Sequence, residues 1–153
     1  LSSASPSPAA THFEKLTRCC MRCKISRFLD KTIEIEKAGV ARVAIPFQPE
    51  LTQNADFLHA AMLFEVADTA GFMAANSMEE TYSVLTVDYH INLIRPVRKE
   101  GVHAVGEVVT AGRTIYVARS DVYSDSGKLV AAGQGTYTVS QILLTDLDGY
   151  DEA

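Results

Sequence analysis

Hydrophobic and polar positions follow two rhythms along this chain, and the changes of rhythm mark its elements. Between residues 11 and 27, Phe13, Leu16, Cys20 and Cys23 recur three or four apart, the spacing of a short amphipathic helix. Ile33 and Ile35 then alternate with charged neighbours, and a second apolar run covers 40–45. Two strands are expected there, joined by a tight turn at Lys37-Ala38-Gly39 and ended by Pro46 and Pro49. Residues 57–76, rich in Ala, Leu, Met and Phe, predict one long helix with Asp56 placed to accept N–H bonds at its start. At about 100° per residue, Glu65, Asp68, Thr69, Phe72 and Asn76 share one stripe of that helix and the rest of its surface is apolar. Such a helix is wrapped by other elements rather than laid on a surface.

The remainder reads as strands over 82–93, 101–111, 114–123 and 129–140, joined by turns at Gly112 and at Asp125-Ser126-Gly127-Lys128. Connections of hairpin length make neighbouring strands antiparallel. A strand pair, a buried helix and four further strands give an α+β order, and curling the sheet around the helix is the simplest way to bury it. One domain over residues 11–142 is expected. Residues 1–10, with no charge and no apolar core, read as a disordered tail or the remainder of a precursor. Residues 143–153 form an acidic tail, expected to be solvated from Thr145 onward.

Composition changes this picture only by exclusion. A chain of 153 residues, 47% hydrophobic, builds one domain with a real core. No apolar run reaches the roughly 18 residues of a membrane span, because Glu65 and Asp68 interrupt the most hydrophobic segment. A net charge of -5 argues against nucleic acid as a partner. Cys19, Cys20 and Cys23 lie too close together to staple distant segments, which points to a reducing, intracellular setting, cytoplasmic or mitochondrial. Cys20 and Cys23 have the spacing of zinc ligands, but no second pair completes a site, so no metal is expected.

Several residues are candidates for chemistry. A carboxylate inside an apolar helix requires a partner or a wet cleft, so Glu65 and Asp68 mark either a catalytic site or a polar groove or subunit interface. His59 lies in the first helical turn, where free N–H groups favour an electron-rich oxygen; packing or capping is its plainer role. His59 and Asp68 are nine residues apart, about 13 Å of rise and half a turn of rotation, so they meet at one small group only if two helices pack antiparallel across a two-fold axis. On the strand that follows, Thr86, Asp88, His90 and Asn92 alternate with apolar residues, and Thr86 has a hydroxyl with which to hold a water. Arg95, Arg98, Lys99 and Arg113 concentrate positive charge, either as solvated surface or against phosphates.

The run Leu58-His59-Ala60-Ala61-Met62-Leu63-Phe64-Glu65-Val66-Ala67-Asp68-Thr69-Ala70 resembles the His-Gly-Gly…Ala-Asp-Thr-Ala signature of the phenylacetate-pathway (PaaI-like) acyl-CoA thioesterases. The resemblance continues through Thr86-Val87-Asp88, Asn92-Leu93-Ile94-Arg95-Pro96 and Gly112-Arg113-Thr114, over roughly residues 30–140. It implies a hotdog fold, an antiparallel sheet wrapped around one helix, assembled into dimers that often pair into tetramers. It implies hydrolysis of an acyl-CoA thioester, in which coenzyme A is part of the substrate and no cofactor takes part. By position, Asp68 matches the catalytic carboxylate, a general base on water or a nucleophile, with Glu65 as the neighbouring candidate. Ala60 would give its backbone N–H to the thioester carbonyl, His59 would support that turn, and Thr86 would position the water. The family's upstream Asn falls on Gln53, with Asn54 one place later. Arg95, Arg98, Lys99, Gly112 and Arg113 are the candidates for the coenzyme A moiety. Ala60 and Ala61 replace the Gly pair, and Asp56 stands where the family often has Gly. The two added methyl groups narrow the approach, so the alternative reading is a hotdog module that binds acyl-CoA as a sensor without cleaving it.

Overall fold

The structure, a computed structural model, describes residues 11–151, so the expected tail over 1–10 lies outside the described residues. The chain opens on α1 (His12–Arg22), whose first turn is closed by a reciprocal cap: the Thr11 hydroxyl accepts from Glu14 N–H and the Glu14 carboxylate accepts from Thr11 N–H. The helical run expected over 11–27 breaks at Cys23, whose ψ of 136° is extended, and α2 (Lys24–Phe28) restarts beyond it. A hairpin follows, β1 (Thr32–Lys37) and β2 (Val40–Ile45), with Gly39 at φ 83° in its turn. After two single-turn 3-10 helices, Pro49–Leu51 and Asn54–Asp56, come α3 (Ala60–Asn76) and the strands β3 (Tyr82–Leu93), β4 (Val102–Ala111), β5 (Ile115–Ser124) and β6 (Leu129–Leu143).

The six strands form one antiparallel sheet in the order β1-β2-β4-β5-β6-β3, curled around α3. This is the α+β hotdog arrangement. The helix supplies Leu63, Val66, Ala67, Ala70, Met73 and Ala74 to the core, all nearly without exposure. Small residues set how closely it lies on the sheet. A Cβ added at Gly106 of β4 would stand 2.4 Å from the Ala70 carbonyl of α3, so helix backbone and strand backbone touch there.

Two expectations change at the ends of elements. The long helix starts at Ala60 rather than 57, and its cap is His59, whose Nδ1 accepts from Ala61 N–H at 3.1 Å. Asp56 does not cap it: Ala55 and Asp56 both sit at positive φ (62° and 61°), which turns the chain before the helix begins. The segment from Thr145 was expected to be solvated, but it docks on α1. Leu144 and Tyr150 are buried, the Tyr150 hydroxyl meets His12 Nδ1 at 2.7 Å, and Arg18 donates to the carbonyls of Gly149 and Tyr150. Its carboxylates face out, Asp148 toward Arg22 and Asp151 toward Lys15. Among the described residues no helix is long and apolar enough to cross a membrane.

Candidate active site

Asp68 lies on the outward stripe of α3, half-buried, with its carboxylate held from two strands. The Thr86 hydroxyl of β3 donates to its Oδ1 at 2.9 Å, and the buried Tyr137 hydroxyl of β6 reaches the Asp68 carbonyl at 3.2 Å and the same Oδ1 at 3.4 Å. Burial, above all, raises the Asp68 carboxyl above its ordinary value; the bonds from Thr86 and Tyr137 pull it back part of the way, the charge of Glu65 adds to the rise, and Lys31 opposes it. Tyr137 is itself pushed far up, by burial first and then by the charge of Asp68, so it remains a protonated donor.

A bulge in β3 brings Thr86 to this place. Opposite β6, Thr86 pairs with Tyr137 and Asp88 with Thr136, so Val87 is an extra residue and the alternation shifts by one across it. Val84 and Thr86 therefore face α3 before the bulge, and Tyr89 and Ile91 face it after. Leu85 and Val87 point outward, 46% and 58% exposed. The polar row Thr86, Asp88, His90 and Asn92 expected on one face is thus split between the two faces. Gly133 and Gly135 of β6 leave the room into which the Tyr89 ring lies, and that ring meets Phe64 edge-on at 5.3 Å.

Glu65, the second carboxylate, is occupied. The Lys31 ammonium, 2% exposed, forms an ion pair with its Oε1, and Thr69 donates to the same oxygen at 3.1 Å. Asp68 is bonded only to hydroxyls. The two carboxylates, equivalent candidates by residue type, are therefore distinguished by their partners.

At the other end of α3 the backbone opens a second feature. His59 N–H donates to Leu51 O and Leu58 N–H to Val97 O, fixing the helix entry, while Ala61 N–H is taken by His59 Nδ1. Among the described residues Ala60 N–H has no acceptor, and it borders a cleft of about 220 Å³ walled by Gln53, Phe57, Leu93, Arg95 and Val97. Of the two candidate amides, Gln53 lines this cleft and Asn54 is exposed in the adjoining turn. Arg98 and Lys99 belong to the same turn: Arg98 donates to Ala55 O and stands over the Phe57 ring, and Lys99 pairs with Asp56 at 3.3 Å. Arg113 lies apart from them. Its turn, closed by Gly112 N–H to Ile115 O, adjoins Thr138 of β6, the neighbour of Leu85 in β3, on the Thr86 side of the sheet.

The candidates thus fall into two half-sites on one chain. Ala60, His59, Gln53 and Arg95 gather at the start of α3, while Asp68, Thr86, Tyr137 and, beyond them, Gly112 and Arg113 gather two turns on, about 12 Å farther along the axis from Ala60 to Asp68. Tyr137 and Lys31 were not found from sequence. Tyr137 left a faint signal, since Gly133, Gly135 and Tyr137 alternate on one face with the small residues that seat an aromatic. Lys31 left none.

A model of the thioesterase superfamily matches residues 55–131, from the turn before α3 into β6. A protein of Saccharolobus solfataricus named "Putative esterase SSO2140" is 31% identical over 117 residues, 76% of this chain and 83% of that protein. Among solved structures, a thioesterase family protein from Silicibacter pomeroyi superposes with a TM-score of 0.77 at 30% identity, covering 86% of this chain and 98% of that one. The PaaI protein of the E. coli phenylacetic acid degradation operon shares the fold, with a TM-score of 0.77 at 20% identity over 87% of this chain and 99% of that one. By the family match and the Saccharolobus relative, this chain belongs to the thioesterase superfamily.

Proposed function

We propose that the protein hydrolyses acyl-CoA thioesters as a homo-oligomer whose active sites are shared between two subunits, in the manner of the PaaI-like enzymes. The observation that carries this reading is the Asp68 carboxylate, half-buried, raised by its surroundings and bonded only to the hydroxyls of Thr86 and Tyr137. A carboxylate so placed accepts a proton from water more readily than a fully hydrated one. Asp68 takes the proton of a water held at the Thr86 hydroxyl, and the water oxygen attacks the thioester carbon. The developing oxyanion is met by the Ala60 N–H of the other subunit, a donor fixed before the reaction begins. Collapse of the tetrahedral adduct releases the coenzyme A thiolate and the free acid. His59 keeps the turn in place through Ala61 N–H and needs an unprotonated Nδ1 for it. Gln53 serves at the cleft in place of the family's Asn. Arg95 and, from the other half-site, Arg113 face the phosphates, whereas Arg98 and Lys99 chiefly hold the 54–57 turn.

The edge of the sheet supports the proposed assembly. β3 is a twelve-residue edge strand with Leu85, Val87 and Leu93 exposed, a template that a second copy covers. A two-fold axis there joins the start of one α3 to the middle of the other.

The reading of the module as a sensor rests on the Ala60 methyl, which lies in the cleft where Gly would leave space. Steady-state hydrolysis over a panel of acyl-CoAs, run beside equilibrium binding of the same compounds, separates the two. Turnover is the expected outcome; tight binding without release of free thiol would establish the sensor and reject hydrolysis.

A further inference from the structure

A second cavity, of about 150 Å³, lies under α1, walled by Leu16, Cys19 and Cys20 of α1, Cys23 just beyond it, Phe72 and Met73 of α3, and Leu144. Its few polar neighbours are turned to other work: Asn76 donates to the carbonyls of Glu79 and Tyr82 and accepts from Val84 N–H, and Ser83 donates to Val84 O. The Cys20 thiol is held protonated, pushed up to about 11 mainly by burial, and so adds no charge to the wall. What the cavity offers a ligand is apolar contact.

Phe72 links this cavity to Asp68. It is one helical turn beyond Asp68 on the same stripe of α3, about 6 Å along the axis. It packs both with the cluster of Leu16, Met73 and Leu144 that encloses the cavity and with the cluster of Tyr137 and Val84 that backs Asp68. On the other flank Cys20 lies within electrostatic reach of Lys31, the partner of Glu65. The Phe72 wall of the cavity thus lies one turn from Asp68 along the same helix.

We infer that this cavity receives the end of the substrate's acyl tail and sets its length. The inference rests on the proposed thioester hydrolysis and names the substrate class: acyl groups with an apolar end. A dry apolar cavity of this volume accommodates about six carbons, the content of a benzene ring. Short polar acyl groups leave it unused, and chains reaching well past it meet the α1 wall.

The test has two arms, one of which does not depend on turnover. In the first, the protein is treated with methyl methanethiosulfonate and labelling of each thiol is followed by mass spectrometry in the presence of S-methyl-CoA or S-octyl-CoA, thioethers that cannot be hydrolysed. Half-buried Cys19 and the more exposed Cys23, which both line the cavity, are expected to be protected by the octyl compound and not by the methyl one. Absence of tail-dependent protection overturns the inference. In the second, Cys19→Phe, with Cys19→Leu as a milder filling, is assayed with octanoyl- and butanoyl-CoA. The octanoyl-to-butanoyl ratio of kcat/KM should fall by about tenfold or more in the Phe variant, the scale on which a single methylene is discriminated in an apolar pocket, and by less in the Leu variant. An unchanged ratio in variants that melt like the parent also overturns it. If no thioester is cleaved, the proposed reaction fails, and the thiol arm still decides whether the cavity takes the tail.

Discussion

At the scale of single residues, the proposed reaction turns on the different partners of Asp68 and Glu65. Both stand on the outward stripe of α3, but Lys31 and Thr69 occupy Glu65 while Asp68 meets only hydroxyls. Asp68→Asn should keep the Thr86 and Tyr137 bonds, because an amide oxygen accepts as a carboxylate oxygen does, and should lower kcat by about 10²–10⁴-fold. Retained activity in Asp68→Asn with loss in Glu65→Gln would name the other carboxylate. The same substitution bears on stability. A carboxyl raised in the folded state binds its proton more tightly there than in the unfolded chain, so between the ordinary value of about 3.9 and the raised one stability falls as pH climbs. Asp68→Asn removes that loss, and thermal melts at pH 7 should place the variant level with the parent or above it. Tyr137→Phe should move the acid limb of kcat/KM to higher pH, since the lost hydrogen bond is one of the two that hold the Asp68 carboxyl down. An acid limb that stays in place would mean that the Tyr137 bond does not hold the Asp68 carboxyl down. The stripe of Glu65, Asp68 and Thr69 was legible from spacing, whereas the partners that separate the two carboxylates were not. Lys31 and Tyr137 reach α3 from 34 and 69 residues away, and helical periodicity carries no information on such contacts.

At the scale of elements, the sequence showed the order of helices and strands and the identity of the central helix, and it failed where backbone geometry departs from the repeat. The β3 bulge at Val87 is one case: strict alternation sets Thr86 and Tyr89 on opposite faces, yet both face α3. The helix start is the other, because residues 57–59 have helical composition while the left-handed turn at Ala55 and Asp56 delays the first helical residue to Ala60. That turn predicts a stabilising change. An L-residue at φ near +60° costs roughly 1–2 kcal/mol, and glycine avoids this at an entropic cost of about 0.5–1 kcal/mol. Ala55→Gly should therefore gain about 0.5–1 kcal/mol in urea unfolding, because the Arg98 bond to the residue 55 carbonyl survives. A loss would show that the Ala55 methyl is needed. The junction of α2 and β1 predicts the opposite. Lys31→Met leaves Glu65 beside Asp68 without its cation and should cost about 3–5 kcal/mol, much of it recovered in Lys31→Met/Glu65→Leu, where neither charge remains. A double variant no more stable than the single one would mean that the lysine's packing, not its charge, holds the junction.

At the scale of the whole molecule, the separation of the half-sites makes a prediction that neither half makes alone. Ala60 N–H and Asp68 lie about 12 Å apart along one rigid helix, too far to act on one thioester carbonyl, whose attacking water and polarising donor must both be within hydrogen-bond reach. If the reaction uses both, it uses two chains, and two inactive variants with complementary defects should restore activity when mixed. Asp68→Asn supplies one defect. Ala60→Pro supplies the other, since proline removes the N–H, and the structure offers it a compatible place: Ala60 is the first helical residue, where proline is well tolerated, and His59 before it is already extended at φ -64° and ψ 136°. In a mixed dimer one site carries both defects and the other carries neither. Unfolding and refolding the two variants together should therefore recover up to about half the parental activity per mixed dimer, with native mass spectrometry counting the mixed species and circular dichroism checking that Ala60→Pro folds. Activity that stays at the level of the separate variants, with mixed dimers present, would place the donor and the carboxylate in one chain and require a carbonyl donor other than Ala60.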